Sequence, residues 1–298
     1  MKVALTGASG LLGPHLIRSL RDDGHEVLRL VRRVPTAADE VQWDPDTGEV
    51  DLAALTGVDA VIHLAGANIG GRPWTPAYRH TVLDSRVSGT RTIASALARL
   101  DPRPRVLLSA SGVGYYGGHG DEILDETSPT GDGYIAHVAA RWEAETATAA
   151  AAGVRVVTMR TGVVVSGRGG ALGRLIPLFR LGLGGRLGSG RQWWSWIGLH
   201  DYVRAVRFLL DRDDISGPVN VCAPEPVTNS EFTKTLARAV HRPAFLAVPG
   251  VLLQLPLRDF AKDLLAGQRV VPARLLEAGF RFDHPDLASA LHAEFASR

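Results

Sequence analysis

A chain of 298 residues is long for one core and short for two large ones, so one main domain with a smaller lobe is expected. Hydrophobic residues at 45% and charged residues at 21% are ordinary for a globular protein, and 33 Lys+Arg against 31 Asp+Glu leave a formal charge of +2, which gives no ground for a nucleic-acid or membrane partner. The single cysteine, Cys222, excludes an intramolecular disulfide and fits a cytoplasmic location, and no uncharged apolar run reaches roughly 18 residues, so no transmembrane helix is expected.

The opening MKVALTGASGLLG reads as a strand over 2–6 and a turn, because glycines at 7, 10 and 13 break the apolar run that a leader would need. A helix over 11–22 follows, then strands over 26–31, 41–43 and 60–64. Next come a long helix over 77–100, a strand over 105–109, an alanine-rich helix over 135–152 stopped by Gly153, and a strand over 154–159. Strands joined through helices imply a parallel, doubly wound sheet, and their unbroken apolar runs fit burial on both faces. Past Gly162 the chain turns rich in Gly and Arg, with a helix over 172–183. HDYVRAVRFLLDR is a helix and GPVNVCA a late strand. TNSEFTKTLARAV is a helix with Thr228 or Asn229 as N-cap. The expected fold is therefore α/β: a doubly wound parallel-sheet domain over 1–163, to which 196–222 return, with a smaller, mainly helical lobe from 164–195 and 223–298.

TGASGLLG supplies Gly7 for a tight turn, Gly10 for close approach of backbone to a diphosphate, and Gly13 for helix-on-sheet packing. Ser9, Leu11 and Leu12 complete the loop whose N–H groups, with the helix dipole, hold phosphate. The second strand ends in LRLVRR. Where a carboxylate would accept from a free ribose hydroxyl, Arg32 and Arg33 offer guanidinium forks suited to a 2′-phosphate. The expected cofactor is NADP(H).

TGASGLLG, VIHLAGANI, SRVSGTRTI, LLSASGVGYYG and MRTGVVVSGRGGAL, in that order, resemble the extended short-chain dehydrogenase/reductase family. GLGGRLGSGRQWWSWIGLHDYVRA and GPVNVCAPEPVTNSEF resemble its atypical, epimerase-like branch, and LLAGQRVVPARLLEAGFRF resembles the C-terminal domain of unknown function carried there. The resemblance implies a Rossmann-type sheet, a bound nicotinamide dinucleotide and a substrate cleft under the C-terminal lobe, without naming the substrate. By motif, it places Asp44 near the adenine and has Leu64, Ala65 and Gly66 line the adenosine side. Arg86 reaches toward the cofactor, Val163 lies near the nicotinamide, and Asp201 has a structural role.

In that family a serine after the fifth strand binds the substrate oxygen, and a tyrosine paired with a lysine four residues on moves the proton. Ser111 matches the serine. Tyr134 stands at a helix head in GDGYIAHVAARWEAE, but its i+4 partner is Val138; in the register set by Glu143 the pair becomes Ile135 and Ala139. Either register lacks the pair. A tyrosine without the lysine keeps its proton near neutral pH, its pKa being about 10, and so favours reduction. His137 and Arg141 are candidate helpers, and Tyr115 and Tyr116 are alternative proton donors, with Tyr116 preferred. RQWWSWIG offers Trp194 and Trp196 on one face as an aromatic wall for a small-molecule substrate, the alternative being simple packing. Arg168, Arg186 and Arg191 suit an anionic substrate group. No metal is expected, since His63 and His80 lack partners at zinc spacing.

The expected function is NADP(H)-dependent hydride transfer on a small carbonyl, imine or sugar-like substrate. The competing reading is a non-catalytic NADP(H)-binding sensor or interaction protein.

Overall fold

The computed structural model describes residues 1–252 and 260–296; residues 253–259, assigned above to the helical lobe, and 297–298 lie outside the described residues. The first half contains β1 (Lys2–Thr6), α1 (Gly13–Asp22), β2 (Glu26–Val31), β3 (Glu40–Asp44), β4 (Glu49–Val50), β5 (Ala60–His63), α2 (Pro76–Arg99) and β6 (Val106–Gly112). A 3-10 turn (Val113–Tyr116), β7 (Ile123–Leu124), α3 (Tyr134–Ala144), α4 (Ala147–Ala151) and β8 (Arg155–Thr161) follow. The second half brings β9 (Val163–Val165), α5 (Gly170–Arg180), β10 (Gly185–Leu187), β11 (Trp193–Trp194), β12 (Trp196–Gly198), α6 (Leu199–Asp211), β13 (Gly217–Val221), β14 (Val227–Thr228) and α7 (Asn229–Ala239).

The main sheet runs β13-β8-β6-β5-β1-β2-β3-β4, parallel throughout except for the short antiparallel edge strand β4. This is a Rossmann-type doubly wound sheet. Chain order reverses between β1 and β5, and a crevice opens at such a switch point. In β1, Val3 and Leu5 point to the face covered by α1 and α6, while Ala4 joins Val61, Ile93 and Leu97 under α2. All three β1 side chains are fully enclosed, which is why the strand shows no polar alternation. On α1, Leu16 and Leu20 are fully buried at i and i+4, each contributing roughly 1.5–3 kcal/mol of apolar burial.

A third cluster joins Trp196, Phe232, Leu236, Leu287 and Leu291 into the core of the second lobe. The tail divides between the two units. Leu275 and Phe280 pack with α6 under the sheet, so 223–298 are not all lobe, whereas Leu287 and Leu291 pack with α7.

Two expected helices differ in extent. The helix over 135–152 is broken into α3 and α4, because the Thr146 hydroxyl and amide both donate to Glu143 O and compete with the helical ladder. The helix expected from 11 starts at Gly13, with Pro14 in its first turn. The N-cap of α7 is Thr228, in a reciprocal capping box with Glu231. Among the described residues, no helix is long and apolar enough to cross a membrane.

Candidate cofactor and active site

A cleft of about 1240 Å³ opens at the carboxyl ends of β1, β2 and β5. Gly7, Ser9 and Gly10 form one side, Leu64, Ala65 and Gly66 the other, and Arg32 and Arg33 stand at its β2 end. Gly7 has φ +74°, where a side chain is strained. A Cβ on Gly13 would lie 2.6 Å from Gly7 O and 2.5 Å from Ala8 O, so the turn closes only on glycine. Helix α1 begins without a side-chain cap and without an acidic residue in its first turn, leaving its N–H groups and positive dipole end for an anion. This cradle fits a dinucleotide diphosphate. Leu11 and Leu12 do not line it: Leu11 reaches Gly169 and Gly170 of the second lobe, and Leu12 packs on the sheet core.

The two arginines at the β2 tip divide. Arg33 is engaged by Glu40 in a fork of 2.6 and 2.8 Å, and the guanidinium holds the Glu40 carboxyl down at about 2. Arg32 is exposed on the cleft and has no protein partner among the described residues. Arg32 is therefore the cleft guanidinium without a protein partner among the described residues, while Arg33, also lining the cleft, is ion-paired to Glu40.

The cleft floor is set by Thr6. Its hydroxyl accepts from the amides of Leu64 and Ala65 and pairs with His63 Nδ1 at 2.8 Å. With both acceptor positions used, the hydroxyl donates to Nδ1, which leaves the ring proton on Nε2. His63 is wholly buried and its Nε2 has no partner; burial pulls its pKa down to about 4, so it is neutral.

Ser111, Tyr116 and Tyr134 are each hydrogen-bonded within the protein. Ser111, at the end of β6, donates to Glu143 Oε1 at 2.6 Å. Glu143 is also forked by Arg160 at 2.9 Å, and Arg160 donates to the Tyr116 hydroxyl at 3.0 Å. Tyr116 in turn donates to Asn220 Oδ1 at 2.7 Å and is fully enclosed, which pushes its pKa up to about 12. This chain of bonds ties β6, α3, β8 and β13 together. The preference for Tyr116 as proton donor is corrected: it braces the sheet from inside. Tyr134 donates to Arg79 O at 2.6 Å, lies edge-on to Trp74 and has Arg79 over its ring; burial raises its pKa. Val138 and Ala139 are buried and apolar, while His137 and Arg141 point to solvent. Tyr115 is half-buried under the Arg160 guanidinium, 3.4 Å from its ring centroid.

Trp194 and Trp196 do share a side, but they do not form a cleft wall. Both belong to the second-lobe core, where Trp194 meets Phe232 and Trp196 donates to Glu225 O. Trp193 projects the other way, donating to Asp121 with Arg269 over its ring. Arg191 is exposed and away from the cleft, its amide bonding Ser189. Asp44 does not line the cleft but accepts from Asp46 N and turns the chain into β4; its neighbours Trp43 and Asp46 are the lining residues. Val163 pairs with Trp196 across β9 and β12, outside the cleft lining. Asp201 is fully enclosed and accepts from the amides of Asp283 and His284 and from Arg204. It anchors the tail to α6. His200, Asp201 and Asp283 gather here, but Arg204 occupies both carboxylates.

Fold and cleft together define a Rossmann-type protein with a dinucleotide cradle, of the extended short-chain dehydrogenase/reductase class. The chain belongs to the NAD dependent epimerase/dehydratase family, whose model matches residues 3–222, and a domain of unknown function, DUF1731, matches residues 248–294. It is 47% identical over 290 residues to an epimerase family protein of Mycobacterium bovis, covering 97% of this chain and 96% of that one. It is 37% identical to the Bacillus subtilis epimerase family protein YfhF, covering 100% and 99%. The crystal structure of the human epimerase family protein SDR39U1 with NADPH superposes with TM-score 0.91 at 33% identity, covering 100% of each chain.

Proposed function

We propose that the chain binds NADP(H) in this cleft and acts as an oxidoreductase that reduces a small carbonyl, imine or sugar-like compound. The observation that carries the reading is the unpaired Arg32 at the β2 tip, facing the same cleft as the uncapped start of α1. The NADPH in the human SDR39U1 structure supports the same choice of cofactor. Gly7, Gly10 and the first turn of α1 hold the diphosphate, Leu64 to Gly66 flank the adenosine, and Arg32 pairs with the 2′-phosphate. When bound, the nicotinamide supplies a hydride. Val138 stands four residues beyond Tyr134 where a lysine would help turn the tyrosine into a base, so reduction is the favoured direction.

A second reading, an NADP(H)-responsive binding protein without turnover, is favoured by one observation. Ser111, Tyr116 and Tyr134 are each already hydrogen-bonded within the protein. Purified protein with NADPH and a broad carbonyl panel separates the two. Loss of NADPH absorbance with any member supports the enzyme, and binding without loss supports the sensor.

Arg32→Ala tests the cofactor choice. One charge-assisted contact corresponds to about 10- to 100-fold in affinity, so NADPH should weaken by that factor while NADH is unchanged. Equal loss for both would remove Arg32 from the 2′-phosphate.

A further inference from the structure

We propose that the second lobe carries a patch that docks on an anionic phospholipid surface. Five large apolar side chains stand in solvent there: Leu178, Leu181 and Leu183 at the end of α5 and just beyond it, and Phe245 and Leu246 where β15 (Leu246–Val248) begins. Leu181 is 73% exposed and Phe245 88%, although both are residue types that folding readily hides. Scattered singly they would mean little; side by side they mark a surface that something covers.

The chain brings them together. β15 runs parallel to β10 and pairs Leu246 with Gly185, two residues past Leu183. Arg242 donates from Nε to Arg180 O at 3.2 Å, which ties the approach to β15 to the last turn of α5. On α5 itself, Arg174, Leu178 and Leu181 stand at i, i+4 and i+7 as one outward stripe, while Leu172, Ile176 and Phe179 face the lobe core.

The charge around the patch selects the occupant. From 146 to 200, and again from 232 to 258, the sequence has no Asp or Glu. Arg174, Arg180 and Arg186 of the first stretch and Arg238 and Arg242 of the second are exposed around the apolar side chains. The acids on neighbouring helices are turned elsewhere. Glu231 caps the far end of α7, Glu294 of the tail helix Leu287–Ala296 accepts from Gly167 N, and Asp263 of the helix Phe260–Ala266 lies over Gly133. Apolar tips ringed by guanidinium groups match a bilayer surface whose headgroups are negative and whose acyl region lies just beneath. A second copy of the chain matches it less well, because a twofold contact through this face would set arginine against arginine. The contact is peripheral, since no helix among the described residues is long and apolar enough to cross a membrane. The formal charge of +2 for the whole chain conceals this one-sided distribution.

The test is sedimentation of the full chain with vesicles of phosphatidylcholine alone and with vesicles of two parts phosphatidylcholine to one part phosphatidylglycerol. The anionic vesicles should bind the chain about tenfold or more tightly than the neutral ones, and raised salt should weaken that binding. Leu181→Ser with Phe245→Ser should lower binding to the anionic vesicles about tenfold or more, while the thermal melt stays native. No sedimentation with anionic vesicles, or equal sedimentation of native chain and variant, overturns the proposal. So does a dimer by light scattering that the variant splits, since a second copy then covers the face. Should the variant melt below the native chain, hydrogen exchange of the unaltered protein decides. Amides of 178–183 and 245–248 should exchange more slowly with anionic vesicles present; protection confined to other segments overturns the proposal.

Discussion

At the scale of single residues, the cleft is built by satisfying hydrogen bonds in a fixed order. Thr6 uses its two acceptor positions on the Leu64 and Ala65 amides and its proton on His63, and so shapes the rim that faces a cofactor. The neutral His63 gives a pH dependence with a definite sign. Its folded pKa of about 4 lies below the ordinary 6.5, so the unfolded chain takes up a proton that the native chain refuses. Stability is full above about 6.5 and falls as pH drops toward 4, by up to about 3 kcal/mol. Denaturant titrations at pH 7 and pH 4.5 should show this loss in the native sequence and a shallower one in His63→Gln. Parallel profiles would contradict it. Side-chain commitments of this kind are not legible in sequence. Arg32 and Arg33 are identical neighbours, and only Glu40 folding back onto Arg33 separates them. Tyr116 fitted its motif, but nothing in the sequence indicated that Asn220 and Arg160 would enclose it.

At the scale of elements, much was legible. The strand–turn–helix at the amino terminus and the parallel strands follow from apolar runs, and capping chemistry narrowed the start of α7 to Thr228 or Asn229, of which the structure uses Thr228. What escaped were short strands whose partners are remote, such as β9 with β12 and β11 with β14. Two or three residues carry no periodicity of their own. The break between α3 and α4 was also missed, because an alanine-rich run hides the one threonine that bonds back to Glu143. Gly13 is where an element-scale claim is sharpest. Gly13→Ala forces a methyl within 3 Å of two carbonyl oxygens and must open the turn onto which α1 packs. A loss of about 1–3 kcal/mol by urea unfolding is expected, together with loss of NADPH binding. An alanine variant of native stability and affinity would mean that the turn is looser than described.

At the scale of the whole molecule, one chain crosses repeatedly between the apolar cluster under the sheet and the cluster around Trp196 and Phe232. The tail first packs Leu275 and Phe280 under the sheet, then returns Leu287 and Leu291 to the second lobe. Asp201 fixes that path by accepting two tail amides and Arg204 from within α6. Asp201→Ala leaves these donors without an acceptor, at an expected cost of about 3–5 kcal/mol, and should open the tail to proteolysis near residues 281–287. Cleavage no faster than in the native chain would show that the tail is held by apolar packing alone. The sequence reading assigned the whole tail to the lobe, since apolar residues announce burial but not the surface they are buried against.

The central claim is that the cleft grips a phosphorylated dinucleotide through the α1 turn and Arg32. Isothermal titration of the purified full chain with NADPH and with NADH tests it most directly. Saturable uptake of NADPH, about tenfold or more tighter than NADH, is the result expected. No heat of binding with either coenzyme, from protein shown to be folded, would contradict the account.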